Sequence, residues 1–462
     1  MSEWEAMAAR LAAGEATLLG LWGEPGRVHL AALEDADAAP AIRHLSRDCP
    51  DGRYPSIGRL HPAAIRLERA ARDLYGLEAE GAPDRRPWLD HGAEPTAYPF
   101  LPVTGAGLHQ IPVGPVHAGI IEPGHFRFTC DGETVVRLEA RLGYAHKGVE
   151  ALLAGADLPA AARIVGRISG DSTVAYAIAF ARAAEAALGT APPPRAAWLR
   201  GLLAELERLA NHLGDIGGIC NDAAFALMQA HCAALRERVL REAAACFGHR
   251  LMMDAVVPGG LAVDLHTGGA VRLLALIAEL RARFRGLVRL YDGTVSLQDR
   301  TVGTGIVRAG LAARFGAGGY VGRASGRGFD ARRTPGYAPY DSLAFEVPTR
   351  AQGDVNARVW IRIEEVTESL RLIEQILDRL PEGPVHAKMA AGAGEGIALA
   401  EGFRGDVLAW VRIEGTTVAR AHLRDPSWFQ WPLLEAAIEG NIVADFPLCN
   451  KSFNCSYSGP DL

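Results

Sequence analysis

Two short stretches carry residue types and spacings suited to chemistry. The first is Arg167-Ile168-Ser169-Gly170-Asp171-Ser172, a glycine-punctuated turn with a carboxylate between two hydroxyls. The second is Cys449 to Leu462, CNKSFNCSYSGPDL, which holds two cysteines and three serines. Thiolates are soft metal ligands, whereas a serine hydroxyl is hard and stays protonated near neutral pH. A third set, Glu205, Arg208 and His212, recurs at spacings of three and four, so it shares one helix face. Spacing alone makes that face a solvated one. Asp84 and Arg85 have no base nearby and read as structural. Gly326 and Gly328 lack the strand-to-helix setting of a phosphate cradle, and nothing gives the chain its own nicotinamide site.

These stretches need elements to hold them. The first turn runs into an Ala-rich helix that Asp171, Ser172 or Thr173 can cap with a side-chain oxygen. Ala175, Ala177, Ala179 and Ala181 leave so little bulk that a neighbouring helix can approach closely. Pro192 to Pro194 stop this helix. A second follows with an apolar stripe of Leu199, Leu202, Leu203, Leu206, Leu209 and Leu213. Residues 223 to 253, 267 to 291 and 353 to 380 read as further long helices, and Gly402 to Gly415 as a hairpin. Upstream, a helix near Trp4 to Ala13, a strand near Thr17 to Trp22 and a helix from Ala63 ended by Gly76 are expected. Residues 93 to 113, rich in Pro, Gly and Thr, read as a linker without helix or strand period.

The composition sets bounds. At 462 residues and 49% hydrophobic content the chain has more than one domain and a large core. A net charge of −6, with no Lys/Arg-rich run, argues against a nucleic-acid partner. Seven scattered cysteines without a C-x-x-C pair suit a reducing compartment. No stretch reaches the roughly 20 apolar residues of a membrane-spanning helix. The acidic N-terminus, MSEWEAMAARLAAGE, is not a secretory signal.

The two opening stretches resemble the metal-binding motifs of the nickel–iron hydrogenase large subunit and of its descendant, the 49-kDa subunit of respiratory complex I. The hydrogenase motif R-x-C-G-x-C keeps its frame here, with Ser169 and Ser172 at the cysteine positions and Tyr176 for a following histidine. In the second motif, D-P-C-x-x-C, Cys455 keeps the first cysteine, Asn454 replaces the proline and Ser458 falls on the second cysteine. Three of four thiolates are missing, so the expectation is a retained scaffold that has lost the nickel–iron centre. Tyr54 to Gly92 is similar to the complex I 30-kDa subunit. Pro55, Ser56, Pro62, Ala63, Ala64, Glu68, Arg69, Asp73, Leu74, Gly76, Glu80, Gly81, Pro83, Asp84 and Arg86 match its pattern. Gly114 to Phe128 resembles the opening loop of the large-subunit family. There Gly114, Pro115, His117, Pro123, Phe126 and Phe128 align, and Ile121 stands where complex I has its second histidine. Gly143 to Glu150 matches G-Y-x-H-x-G-x-E. Glu205 to Leu213 matches E-L-x-R-L-x-x-H-L, and Arg323 to Arg332 matches R-A-S-G-x-x-x-D-x-R.

The resemblance implies an α+β protein. A small N-terminal α/β domain (1 to 92, shorter than the full family domain) and a linker (93 to 113) precede a mainly helical bundle with short antiparallel sheets (114 to 462). It implies a peripheral subunit on the cytoplasmic face of the cell membrane. Its partners would be an iron–sulfur small subunit like the complex I 20-kDa protein, and membrane subunits of antiporter-like and quinone-site type. In that reading His117 is the quinone-facing proton donor, Glu122 a buried proton carrier and Tyr176 a second acceptor-facing group. Ser169 and Asp171 line the former metal cup. Arg208 and His212 lie near the partner's terminal iron–sulfur cluster and raise its potential. The chain itself would bind no cofactor firmly, and a quinone would be the acceptor. The other readings are a scaffold without redox chemistry and, further off, a hydrogenase with substituted ligands.

Overall fold

The computed structural model describes residues 2–35, 40–89, 98–119 and 121–462. The N-terminal unit opens with helix Glu3–Ala13, closed by a Ser2–Glu5 capping box and by left-handed Gly14. An antiparallel meander follows, Ala16–Glu24, Arg27–Asp35 and Pro40–Asp48. Helix Ile65–Tyr75 then links the short strands Arg53–Pro55 and Glu78–Glu80, which pair in parallel. The expected helix and strand near Trp4 and Thr17 are therefore present, and Gly76 ends the second helix in the left-handed region, φ 66°.

The expected linker is partly a strand. Residues 93 to 97 lie outside the described residues, but Leu108–Val113 pairs with His125–Asp131, which pairs in turn with Thr134–Arg141. Alternation there is masked in the sequence by Pro112 and the flanking glycines, and the partner strand supplies the order that the local pattern lacks. Leu101 N–H donates to Glu139 and the Tyr98 hydroxyl accepts from Arg69, so the segment also bridges the two units.

Behind this sheet stand the long helices Thr173–Leu188, Pro194–Asp222, Ala226–Phe247, Gly269–Gly293 and Val355–Asp378. A last meander, Gly392–Glu401, Asp406–Gly415 and Thr417–Arg424, packs against the first of them. The small-residue helix packs most extensively on a strand, where the sequence suggested a helix. It lies on strand Gly392–Glu401, where Gly394 and Gly396 bring the strand backbone against the Ala187 and Ala183 carbonyls. The turn before that helix does not cap it: Glu207, from the next helix, accepts the Val174 N–H at 2.7 Å and the Ala175 N–H at 3.1 Å. The leucine stripe of Pro194–Asp222 is buried as expected.

The N-terminal meander joins the last one through stacked rings. Trp22 packs on His29, His44 and His422, with Trp410 tilted against it at 5.5 Å. His29 bridges Glu24 at 3.0 Å and His44 at 3.2 Å. Burial pulls the His29 pKa down to about 4 although Glu24 opposes this, and burial also lowers those of His44 and His422. The folded stack thus holds neutral imidazoles, while an unfolded imidazole takes its proton near 6.5. Protons favour the unfolded interface as pH falls from about 6.5 to about 4, at a cost on the order of 3 kcal/mol for His29 alone. The N-terminal unit is expected to loosen over that window, read by tryptophan fluorescence and limited proteolysis, and His29→Phe should flatten the dependence. A flat wild-type profile would mean that the stack does not hold the two meanders together.

Candidate functional site

The two motif turns meet, and a guanidinium ties them. Arg404 sits in the tight turn between strands Gly392–Glu401 and Asp406–Gly415. It donates to both Asp171 oxygens, to Ser172 Oγ at 3.1 Å and to the carbonyl of Asn454. Asn454, at φ 44°, ends helix Phe446–Phe453 and turns the chain into the second motif. Ser169 Oγ donates to Asp171 at 2.9 Å and accepts from Ser456 Oγ at 3.4 Å. Burial works against charge on Asp171, but Arg404 and the two serine hydroxyls outweigh it and hold its pKa below the usual carboxylate value. Lys147 adds a second clamp: Nζ donates to the Arg167 and Ile168 carbonyls, and its backbone N–H donates to Leu462. The Asp461 carboxylate accepts the Gly143 and Ala145 N–H groups. The glycine-bounded turn at 143 to 148 is thus structural, and His146 belongs to the same clamp through the Asp461 carbonyl.

His117 is half-buried on the loop between strands Leu108–Val113 and His125–Asp131. Its Nδ1 lies 3.2 Å from the Pro115 carbonyl and its Nε2 3.3 Å from the Tyr457 hydroxyl. A carbonyl only accepts, so the neutral ring carries its hydrogen on Nδ1, and Nε2 accepts from Tyr457. Burial raises the Tyr457 pKa, so the phenol stays a donor. Tyr176 is not brought to His117. It is fully buried, and its hydroxyl donates to Asp425 at 2.6 Å. Glu122 is exposed rather than buried, because it stands on the outer turn of the loop next to exposed Ile121. His125 braces the loop base through the Gly114 carbonyl.

Arg208 and His212 are not on a solvated face. Helix Pro194–Asp222 is buried all round there, and both side chains enter an internal ion network. His212 meets Glu365 at 2.6 Å, and Arg208 lies between Glu205 and Glu365. Arg323 joins Glu365, Glu401 and Asp330, and Arg332 joins Asp330 and Glu205. Tyr340 and Ser369 each donate to Glu205 at 2.6 Å. The R-A-S-G-x-x-x-D-x-R stretch therefore works as an internal brace. Any cluster held by a neighbouring protein would sense Arg208 and His212 through intervening atoms, without touching them.

Two family models match parts of the chain. Residues 28–101 match the respiratory-chain NADH dehydrogenase 30 Kd subunit, and residues 222–393 match the 49 Kd subunit of the same enzyme. Hydrogenase-4 component G of Escherichia coli is 30% identical over 93% of this chain and 79% of its own length. The chain belongs to the fused 30-kDa/49-kDa family of complex I and hydrogenase large subunits. Two further relatives mark its breadth. The carbon monoxide-induced hydrogenase of Rhodospirillum rubrum is 31% identical over 75% of this chain and 97% of its own length. The NADH-quinone oxidoreductase C/D protein of Phocaeicola vulgatus is 27% identical over 85% of this chain and 84% of its own.

Within this family the donor set decides what the cup can hold. By the resemblance, the four positions that carry thiolates in the hydrogenases fall on Ser169, Ser172, Cys455 and Ser458. Burial raises the pKa of the one remaining thiol, so Cys455 stays protonated, and burial likewise pushes Cys449 up to about 11. Two of the hydroxyls are bound to Asp171, whose charge is already met by Arg404. No group of three His, Cys, Asp or Glu side chains among the described residues has a metal-holding arrangement. These residues do not fit a nickel–iron pair. Sequence reasoning missed Tyr457, Arg404 and Glu207. Tyr457 lies inside the second motif and was there to be found. Arg404 lies in a stretch that resembles the family's R-G-E turn, which does not say what it binds, and Glu207 gave no sequence signal, because its partners lie on another helix.

Proposed function

We propose that this chain is the large subunit of a complex I-like, hydrogenase-related assembly, and that it passes electrons from a partner's iron–sulfur cluster to a quinone-like acceptor without a nickel–iron centre. The observation that supports it most directly is the His117–Tyr457 pair beside a cross-linked, metal-unfit cup. Reduction of a quinone takes two electrons and two protons and yields a quinol. The electrons come from the partner's cluster; the protons need positioned donors. When His117 takes a proton, Nε2 becomes a donor to the Tyr457 oxygen, and the tyrosine O–H is freed for an acceptor oxygen. Arg404 and Lys147 keep both motif turns rigid around that point. In this reading the iron–sulfur subunit docks over exposed Arg167 and Gly170, and a membrane partner over exposed Val116 and Ile121. Among the described residues no helix is long and apolar enough to cross a membrane. In the proposed assembly the chain attaches peripherally, at the cytoplasmic face, through such partners.

The test is made on the purified native complex. Nickel per large subunit should be near zero; near-stoichiometric nickel would make hydrogen chemistry the leading reading. Quinone-dependent oxidation should fall about 100-fold in His117→Ala, and to a similar degree in Tyr457→Phe, the usual scale for a lost proton donor. Tyr176→Phe, which alters only an internal bond to Asp425, should lose far less. Wild-type complex that reduces no quinone but still needs this chain to assemble would favour the scaffold.

A further inference from the structure

Glu207 is a buried carboxyl that the acceptor chemistry above leaves unused. It caps helix Thr173–Leu188 from outside, and its neighbour Asn211 donates to the Asp171 carbonyl at 2.7 Å and to the Glu207 carbonyl at 2.9 Å. Between Asp171, Glu207 and Asn211 lies a small cavity of about 10 Å³, closed on its far side by Arg236, Arg250, Leu251 and Met252. That is roughly the room one water needs, and its polar partners are in place. From Asp171 a line of hydroxyls runs inward. Ser169 Oγ lies 2.9 Å from Asp171, Ser456 Oγ lies 3.4 Å from Ser169, and Ser458 Oγ lies 3.5 Å from Ser456. All three serines are buried, and Tyr457 stands between the last two in the chain.

Hydroxyls both donate and accept, which neither a metal-bound thiolate nor an alanine does. We propose that Glu207 is the proton-holding group of this site, and that Asp171, Ser169, Ser456 and Ser458 form its hydroxyl line towards the acceptor, where the hydrogenase branch carries metal ligands. The direction of the line rests on the quinone reading; the proton on Glu207 does not.

The charges around Glu207 suit the role. It faces Asp171 from the motif turn and Arg208 beside it, the amide end of helix Thr173–Leu188, and Arg236 and Arg250 across the cavity. Burial dominates and pushes its pKa up to about 8, so it keeps its proton at neutral pH. Arg404 does the reverse for Asp171, which therefore relays a proton without storing it. In one cycle the Glu207 proton passes through the water to Asp171. At rest the Ser169 and Ser456 hydroxyls point back towards Asp171, so once Asp171 is protonated each serine rotates, accepts a proton on its oxygen and hands its own hydrogen on. Glu207 refills from bulk water at the cavity mouth, so the proton count closes.

Two measurements on the complex decide this. Infrared spectra without turnover should show a protonated-carboxyl band that titrates near pH 8 and is absent from Glu207→Gln. The glutamine carbonyl still accepts one of the two amides that Glu207 takes on separate oxygens, so half of the cap survives. With a soluble quinone as acceptor, the wild-type rate should fall above about pH 8, and this limb should vanish in Glu207→Gln. Ser456→Ala should lose about tenfold in rate, with Ser456→Thr restoring it. A missing band, or one unmoved by Glu207→Gln, overturns the role of Glu207. Ser456→Ala at wild-type rate overturns the serine line. If the wild-type complex reduces no quinone, the acceptor reading and the inward line fall together, and the infrared titration alone decides whether Glu207 holds the proton.

Discussion

Arg323→Met is expected to be among the most destabilising single changes in the chain. Arg323 is fully buried, and its guanidinium meets Glu365, Glu401 and Asp330, all themselves buried. Methionine fills much of the volume but leaves those carboxylates with Arg208 and Arg332 as their remaining guanidiniums, beside His212 on Glu365. Removing one partner from a buried ion set costs about 3–5 kcal/mol, because the remaining charge is stranded in low dielectric. The sign of the pH dependence follows from Glu401. Burial, and then Asp330, already push its pKa up to about 7, with Arg323 the first group to oppose them. Without Arg323 that value rises further, so protonation relieves the variant. The chemical-denaturation midpoint should drop sharply at pH 8 and recover in part by pH 6, with Arg323→Lys intermediate because it is a point charge without the fork. Equal midpoints for variant and wild type at pH 8 would show that the network contributes nothing.

That network shows where sequence reading stopped. The spacing of Glu205, Arg208 and His212 correctly put them on one face, yet polarity alone assigned that face to water. What reversed it were Arg323, Asp330, Arg332, Glu365 and Glu401, which arrive from three other segments and neutralise it in the core. Long-range charge pairing leaves no periodic trace. The same holds at the site. The helix after Ser172, the leucine stripe, the Gly76 stop and both motif turns were legible because each is a local pattern. The groups acting across those turns were not: Arg404 reaches Asp171 over 233 positions, and Tyr457 reaches His117 over 340. Tyr176 was nearer to the motif in sequence, but helix geometry points it inward to Asp425. The family resemblance supplied the fold and the order of motifs, and it could not say which tyrosine faces the loop.

Gly396→Val is the second change with a large expected effect, and it links packing to the site. Gly396 lies in strand Gly392–Glu401, opposite Val411 in the sheet, with a backbone conformation that any residue can adopt. The constraint is therefore space rather than φ. A Cβ there would fall far inside van der Waals contact with the Ala183 carbonyl, and one at Gly394 would strike Ala187. Backbone cannot swing aside as a flexible side chain can, so the strand or the helix must move. Overpacking of this kind costs typically ~1–3 kcal/mol, and a branched side chain driven against backbone belongs at or above the top of that range. The helix that must move is Thr173–Leu188, and the turn leading straight into it carries Asp171 against Arg404. Damage should therefore reach the motif turns, which the same rigid rod holds in place. In the purified complex, Gly396→Val should lower the melting temperature and the yield of assembled subunits together. Gly415→Ala, at a hairpin end where nothing crowds the added carbon, should cost only its left-handed strain. Equal assembly for Gly396→Val and wild type would mean that the helix and strand do not meet as closely as their small residues allow.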